Sequence, residues 1–352
     1  MYQSMKELRA APGRAALITI TVGMIAVMVT FLSSLAAGLS NQSVSALDEL
    51  YGDNDAVVIA DGATSLSSSS LDADLKDKVD EWATDKGATV REVNLARARA
   101  GETPVTVISD PALADDEVAV TKGVAGPKND EGATPLTLEE GKAITLSGPM
   151  GDHDAIVKTL LGDKWLDHQA VVFAGKDTMK ALTGGAPVPP SALVVDESKG
   201  EMPKIDGASV LRGGERNNLS ASYQGEQTSL NAMTTMLYVI SALVVGAFFT
   251  VWTVQRLRGV AITSALGASR SVLVADSLAQ VIAVLIIGVG GGVAVTAAAG
   301  WALANAEVMP VGIDLTTTVI PGLILAATGV VGALLALVPV FRVDPTTALA
   351  NA

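Results

Sequence analysis

The sequence contains no cysteine and only two histidines, and each shortage removes a class of functional site. Without cysteine there are no disulfides, thiolate metal sites, iron–sulfur clusters or cysteine nucleophiles. Two histidines, His153 and His168, leave little for zinc, and no Gly-x-Ser-x-Gly nucleophile turn is present. Each histidine has an aspartate beside it, and we interpret both neighbourhoods as solvated loops rather than metal or catalytic sites.

Basic residues are also scarce, with 24 Lys and Arg against 37 Asp and Glu and a net charge of −13. A chain this acidic is a poor match for phosphate backbones, so we expect no nucleic-acid partner. The chain lacks a Gly-x-x-x-x-Gly-Lys-Ser/Thr phosphate loop, so any ATP-driven work requires another subunit. We therefore predict no catalytic residue, no intrinsic cofactor and no enzyme activity of the chain itself.

What the chain does have is long uncharged segments. Four runs of 33, 29, 30 and 27 residues carry no charge, at 15–47, 227–255, 277–306 and 315–341. Each exceeds the roughly 20 residues that a helix needs to cross a ~30 Å hydrocarbon layer. We predict transmembrane helices over 15–39, 232–254, 272–301 and 317–341, the first being too long for the core of a cleaved signal peptide. Gly288-x-x-x-Gly292 in the third helix predicts close helix packing.

The positions of the basic residues predict the orientation in the membrane. Basic residues precede the first helix, lie between the second and third, and follow the fourth: Lys6, Arg9, Arg14, Arg256, Arg258, Arg270 and Arg342. Segments 1–14, 255–271 and 342–352, with both termini, are therefore predicted to be cytoplasmic, in a plasma-membrane protein. Residues 40–231, with 17 basic and 32 acidic side chains, and the loop 302–316 lie on the opposite side.

The segment 40–231 is long enough for its own hydrophobic core. Short apolar runs bounded by Gly, Asp, Ser and Pro predict strands at 56–60, 117–121, 143–146, 170–174 and 192–195. Apolar residues spaced by three or four predict a helix over 71–86, and polar stretches predict loops at 64–70, 128–134 and 184–190. The predicted fold is thus a four-helix membrane protein with an inserted extracytoplasmic α+β domain.

Three sequence motifs point to a known family. Residues 255–270, QRLRGVAITSALGASR, resemble the signature of MacB/FtsX-type permeases of ABC transporters. Residues 8–14 resemble the family's amphipathic elbow helix, and residues 343–349 resemble its closing motif. The resemblance implies a homodimer that contacts a separate ATPase subunit holding ATP and Mg²⁺. The implied ATPase-coupling residues are Arg258, Val260, Leu266, Gly267, Ala268 and Ser269.

The third span departs from the family at one position. Where family members often carry a glutamate, this sequence has Gln280, with Asp276 one turn earlier. Asp276 is either a buried coupling carboxylate or a carboxylate at the cytoplasmic start of the helix. We favour the second interpretation, because a side chain one turn (~5.4 Å) inside the membrane edge still reaches water.

The segment that leads into the second span indicates which class of substrate the protein transports. Residues 223–242, YQGEQTSLNAMTTMLYVISA, resemble the haem-exporter permease branch of the family, the HrtB type. Without cysteine or a well-placed histidine, a haem site would need a thioether, carboxylate or phenolate near the iron. Helical spacing puts Met28 and Phe31 on one stripe of the first span. The predicted haem site is Met28, Phe31, Tyr223, Glu226, Met233 and Met236, with Glu226, Tyr223 or Met233 closest to the iron.

Two other functions fit the same layout. The permease could drive extrusion of a lipoprotein, peptide or antibiotic by the same lever motion. It could also transmit ATP cycles to a cell-wall hydrolase without transporting anything. The expected partners in every case are an ABC ATPase, a second copy of the permease and membrane lipid, with haem as the transported ligand in the favoured case.

Overall fold

The computed structural model describes residues 12–126, 136–185, 188–265, 270–305 and 309–336. The chain divides into two compact units. The membrane unit comprises residues 1–38 and 228–352, and the inserted domain comprises residues 39–227. Each unit has its own hydrophobic core.

Four long helices contain the predicted membrane spans. They are α1 (Pro12–Val44), α4 (Ala221–Ala265), α5 (Arg270–Asn305) and α6 (Leu315–Ala336). Each contains a segment long and apolar enough to cross a bilayer, at Ala15–Val44, Ala221–Val251, Leu278–Leu303 and Leu315–Ala336. Four helices long and apolar enough to span a membrane are thereby confirmed among the described residues, and the predicted limits of the spans stay predictions. A helix suits such a segment because it satisfies every backbone hydrogen bond internally, where lipid offers no partner.

Small residues bring α1 and α5 into direct backbone contact in the membrane unit. A Cβ atom on Gly292 would lie 2.5 Å from the Cβ of Ala26 and 2.7 Å from the carbonyl oxygen of Gly23. A Cβ on Gly288 would lie 2.9 Å from Val22 Cγ1. The same two helices share a buried hydrogen bond of 2.7 Å between the hydroxyls of Thr30 and Thr296. The close packing predicted from Gly288-x-x-x-Gly292 is confirmed.

Because of this packing, the effect of an added methyl group on stability depends on which glycine of α5 receives it. We expect Gly292→Ala to destabilise the membrane unit by about 1–2 kcal/mol, because overpacking outweighs the gain in helix propensity. The matched control is Gly291→Ala, where an added Cβ would have no neighbour within 4 Å. Thermal unfolding of the detergent-solubilised protein should show a lower Tm for Gly292→Ala only. Equal Tm values for the two variants would contradict the close approach of α5 to α1.

The inserted domain is built mainly from strands. Its helices in the described residues are α2 (Ala73–Lys86) and α3 (Lys176–Thr183). Its strands are β1 (Asp55–Ala60), β2 (Val90–Val93), β3 (Leu95–Ala100), β4 (Thr103–Ser109), β5 (Glu117–Thr121), β6 (Ala143–Gly148), β7 (Gly151–Leu161), β8 (Trp165–Leu166), β9 (Gln169–Ala174), β10 (Ala192–Asp196) and β11 (Ala208–Leu211). They form a four-stranded sheet of order β11-β1-β10-β2 and a seven-stranded sheet of order β4-β3-β6-β7-β5-β9-β8.

The larger sheet closes into a six-stranded barrel, because β4 also pairs with β9 in parallel register. Buried side chains such as Val107, Leu146 and Val172 fill the barrel core, and α3 packs Met179 and Leu182 against it. Strand β8 lies outside the closed ring and joins β9 through a two-residue turn, with Leu166 opposite Gln169. This turn is consequently held by a strand that has three partners, β4, β5 and β8.

The smaller sheet carries α2 on one face through Leu75 and Val79. The helix begins after Asp72, whose carboxylate accepts a hydrogen bond of 2.8 Å from the N–H of Leu75. It ends at Gly87, which has a φ of 62°. The helix predicted over 71–86 is therefore confirmed, with its start at Ala73.

The five predicted strands are confirmed as β1, β5, β6, β9 and β10. The inserted domain nevertheless has more strand and less helix than the predicted α+β fold, with a barrel as its main feature. One predicted loop is wrong: residues 151–154 belong to β7, where His153 pairs with Leu146 of β6. Strand β7 is exposed on one face, and the polar side chains on that face give the segment the composition of a loop. The predicted loop at 128–134 lies outside the described residues.

Candidate functional site

Polar residues from three distant parts of the chain meet at one place in the inserted domain. We call this the helix-end cluster. Its members are Gln42 and Ser43 at the end of α1, Asp167 and His168 in the β8–β9 turn, and Ser220, Ser222 and Glu226 at the start of α4.

The turn at the centre of the cluster has an uncommon backbone. Asp167 has a φ of 49° and His168 a φ of 60°, and they are the non-glycine residues with positive φ among those described. A two-residue hairpin turn with both residues left-handed is the type I′ arrangement, which normally favours Asn-Gly or Asp-Gly. A left-handed backbone costs a non-glycine residue about 1–2 kcal/mol. This conformation places the carboxylate of Asp167 and the imidazole of His168 at the tip of the turn.

The backbone of the turn satisfies the end of α1. The N–H of Asp167 donates to the carbonyl of Ser43 at 3.1 Å, and the N–H of His168 donates to the carbonyl of Gln42 at 3.0 Å. These carbonyls belong to the last turn of α1, where no helical N–H remains to bind them. The end of α1 is thus fixed to the β8–β9 turn by main-chain hydrogen bonds.

The side chain of Asp167 satisfies the start of α4. Its Oδ1 accepts hydrogen bonds from the Ser220 hydroxyl at 2.6 Å and from the N–H of Ser222 at 3.1 Å. The Ser220 hydroxyl in turn accepts from the N–H of Tyr223 at 3.3 Å. A carboxylate at this position also complements the positive end of the helix dipole. One aspartate and one serine therefore cap the helix that carries Glu226.

Glu226 is held at both carboxylate oxygens. Its Oε1 lies 2.6 Å from His168 Nε2, and its Oε2 accepts a hydrogen bond of 3.0 Å from the Ser43 hydroxyl. His168 Nδ1 lies 3.4 Å from Gln42 Oε1. The side chains of His168 and Glu226 are 34% and 28% exposed. The carboxylate is thus contacted by two protein groups, His168 and Ser43, and is still partly exposed.

The structure distributes the predicted haem residues over both units. Glu226 lies in the helix-end cluster, and Tyr223 lies one turn before it on α4, with its hydroxyl 3.4 Å from Asn217 Nδ2. In the membrane unit, Met28 on α1 and Met233 and Met236 on α4 are each more than half exposed. Phe31 is half-buried. That these six residues form one haem site stays a prediction.

The predicted ATPase-coupling residues fall at the end of α4 and beyond it. Arg258 and Val260 lie within α4, and their side chains are outside the described part of the structure. Leu266, Gly267, Ala268 and Ser269 lie outside the described residues. In α5, Gln280 is buried, and the side chain of Asp276 is outside the described part.

Most of the helix-end cluster was not predicted from the sequence. His168 does lie in a turn, as predicted, but its imidazole is partly buried against Gln42, Ser43 and Glu226 and is not fully solvated. Two sequence features indicate the cluster. One is the Asp-His pair between two apolar strands, and the other is the two serines at the start of the helix that carries Glu226. The described residues contain no group of three His, Cys, Asp or Glu arranged to hold a metal ion.

The chain is similar to known proteins over 99% of its length. It is 26% identical over 364 residues to a Staphylococcus haemolyticus protein named for a hemin transport system permease, HrtB, with 99% of each chain matched. Proteins of the same name from two strains of Staphylococcus epidermidis are 24% identical, again over 99% of each chain. Over its full length, this chain resembles HrtB-type permeases. No protein-family model matches the chain.

The cap at the start of α4 can be tested separately from the turn. We expect Asp167→Ala to lower stability by about 1–2 kcal/mol, because alanine removes the carboxylate that caps α4 without relaxing the left-handed turn. Asp167→Asn keeps an acceptor oxygen and tolerates the left-handed backbone, so it should stay closer to the wild type. Thermal unfolding of the purified full-length protein measures both. An alanine variant as stable as the asparagine variant would show that the side-chain oxygen does not cap the helix.

Proposed function

We propose that this protein is the permease subunit of an ATP-driven ABC efflux system that exports haem. The observation that carries the proposal is the end-to-end similarity to HrtB permeases of hemin transport systems, at 24–26% identity. Four apolar helices of spanning length and a large inserted domain are the parts that such a permease requires. The chain itself supplies no nucleotide-binding loop, so ATP hydrolysis belongs to a partner subunit.

The proposed assembly is a permease homodimer with an ABC ATPase on the cytoplasmic side. Both termini and the segment 255–271 face the ATPase, and the inserted domain faces the outside. This orientation rests on the basic residues that flank the spans. ATP-driven closure of the ATPase dimer would tilt the spans, and haem would leave from the outer leaflet.

The absence of cysteine makes the orientation easy to test. Single cysteines can be introduced without any background thiol: Ser70→Cys in an exposed loop of the inserted domain and Ser264→Cys near the end of α4. A membrane-impermeant maleimide should label Ser70→Cys in intact cells and label Ser264→Cys only after permeabilisation. Labelling of Ser264→Cys in intact cells, with Ser70→Cys protected, would reverse the proposed topology.

The proposed substrate site combines apolar and iron-binding side chains. Met28, Phe31, Met233 and Met236 would contact the porphyrin faces, since thioethers and aromatic rings pack well against a flat apolar ligand. Glu226 would approach the iron with its carboxylate, with Tyr223 or Met233 as the other candidate iron contacts. The exposure of the three methionines and the two-sided support of Glu226 are compatible with these roles.

Reconstitution tests the proposed function directly. The complex of this permease with its ATPase in lipid nanodiscs should hydrolyse ATP faster when haemin is added. Glu226→Ala and Met233→Ala should weaken this stimulation and change the haemin absorbance spectrum. Gln224→Ala is the matched control, because Gln224 is exposed on the same first turns of α4.

One outcome would contradict haem export, and another would remove only the site assignment. Stimulation by peptides or antibiotics, with none by haemin, would favour an extrusion pump for those substrates. Stimulation by haemin that is equal in the wild type, Glu226→Ala and Met233→Ala would retain haem export and remove this site assignment.

A further inference from the structure

Two side chains of the helix-end cluster that the proposed haem site does not use, His168 and Ser43, touch the carboxylate proposed to approach the iron. We infer that His168 is a positioning residue, which fixes the carboxylate of Glu226 in the orientation that haem binding needs. The inference rests on the proposed function, because it assigns a role toward the haem that Glu226 would bind.

His168 contacts the carboxylate of Glu226 directly. His168 Nε2 lies 2.6 Å from Glu226 Oε1, a short distance that is typical of hydrogen bonds to a charged group. The other ring nitrogen lies 3.4 Å from Gln42 Oε1, which limits rotation of the imidazole. The Ser43 hydroxyl binds the second oxygen of the same carboxylate. A glutamate with several rotatable bonds is thus restricted to a narrow range of orientations.

The backbone of the turn also favours a role for the imidazole. Asp167-Gly would form a type I′ turn at lower cost than Asp167-His168, whose histidine has a φ of 60°. Strain of this kind persists where the surrounding structure requires the side chain. The backbone contact with α1 needs only the N–H at position 168, which glycine would also supply. What histidine adds at this position is the imidazole that reaches Glu226.

The chemistry of metal-binding carboxylates supports the same role. Carboxylates that bind iron or other metals are commonly hydrogen-bonded by a second group, and loss of that group costs about 10–100-fold in affinity. His168 and Ser43 stand in this relation to Glu226, and both leave lone pairs on the carboxylate oxygens available. A freely rotating glutamate would lose side-chain conformational entropy when it binds the ligand, which would weaken binding.

The test compares His168→Gly and His168→Gln with the wild type, using the purified full-length permease and haemin titration followed by absorbance. His168→Gly should keep or raise the Tm, since it relaxes the turn, and should weaken haemin binding about tenfold with a shifted Soret band. His168→Gln retains an N–H donor near the position of Nε2, so it should recover most of the wild-type spectrum. A purely structural role predicts a lower Tm for His168→Gly with an unchanged spectrum, and that result would overturn the inference.

A double variant separates positioning from direct contact with haem. If His168 acts through Glu226, then adding His168→Gly to Glu226→Ala should cause no further loss of affinity. A further loss would show that His168 contacts haem itself and would overturn the positioning role.

The pair can also be observed without haem. The chain has two histidines, so spectra of protein with ¹⁵N-labelled histidine contain two imidazoles, and His153→Asn assigns them. The Nε2–H proton of His168 should appear at the low field typical of a carboxylate partner and lose that shift in Glu226→Ala. An unshifted proton in the wild type would overturn the inference.

The outcomes distinguish this inference from the proposed function. A wild-type protein that binds no haemin overturns the proposed function, and the positioning role falls with it even if the His168 proton is shifted. A wild-type protein that binds haemin through Glu226, with His168→Gly equal to it, overturns the positioning role alone.

Discussion

The inserted domain depends on satisfying two helix ends with one short turn. The last carbonyls of α1 and the first N–H groups of α4 have no partners inside their own helices. The backbone of Asp167 and His168 binds the former, and the carboxylate of Asp167 binds the latter. Because the two ends share this turn, neither can move far without breaking hydrogen bonds of the other. Glu226 sits one turn into α4 and takes its position from that arrangement.

The membrane helices could be predicted because lipid imposes a simple rule. A span must be apolar for about 20 residues and must satisfy its own backbone, so uncharged runs identify it without any knowledge of tertiary contacts. The same holds for Gly288 and Gly292, whose spacing alone predicts a small-residue face. The buried strands β1, β9 and β10 are continuous apolar runs, and they were predictable for a similar reason.

The remainder of the inserted domain could not be predicted, because its pattern depends on pairing between distant segments. Strand β7 exposes the side chains of one face, including Asp152 and Asp154. Because these charged residues are typical of loops, the sequence pattern predicted a loop where the structure has a strand. The short strands β2, β8 and β11 are stabilised by pairing with β10, β9 and β1, and their own sequences are too short to predict a strand. In the helix-end cluster, Glu226 was predicted from a motif on its own helix, whereas His168 was missed because only the closed barrel brings it to Glu226.

The spacing of these partners along the chain has a consequence for biosynthesis. Ser43 is made 125 residues before His168 and 183 residues before Glu226, the two groups it meets in the finished protein. Until the β8–β9 turn and the start of α4 have been made, the end of α1 has neither of these partners. A fixed carboxylate at the start of α4 is therefore a late feature of the nascent chain, because the segments that hold it come together only when the domain between residues 43 and 226 has folded.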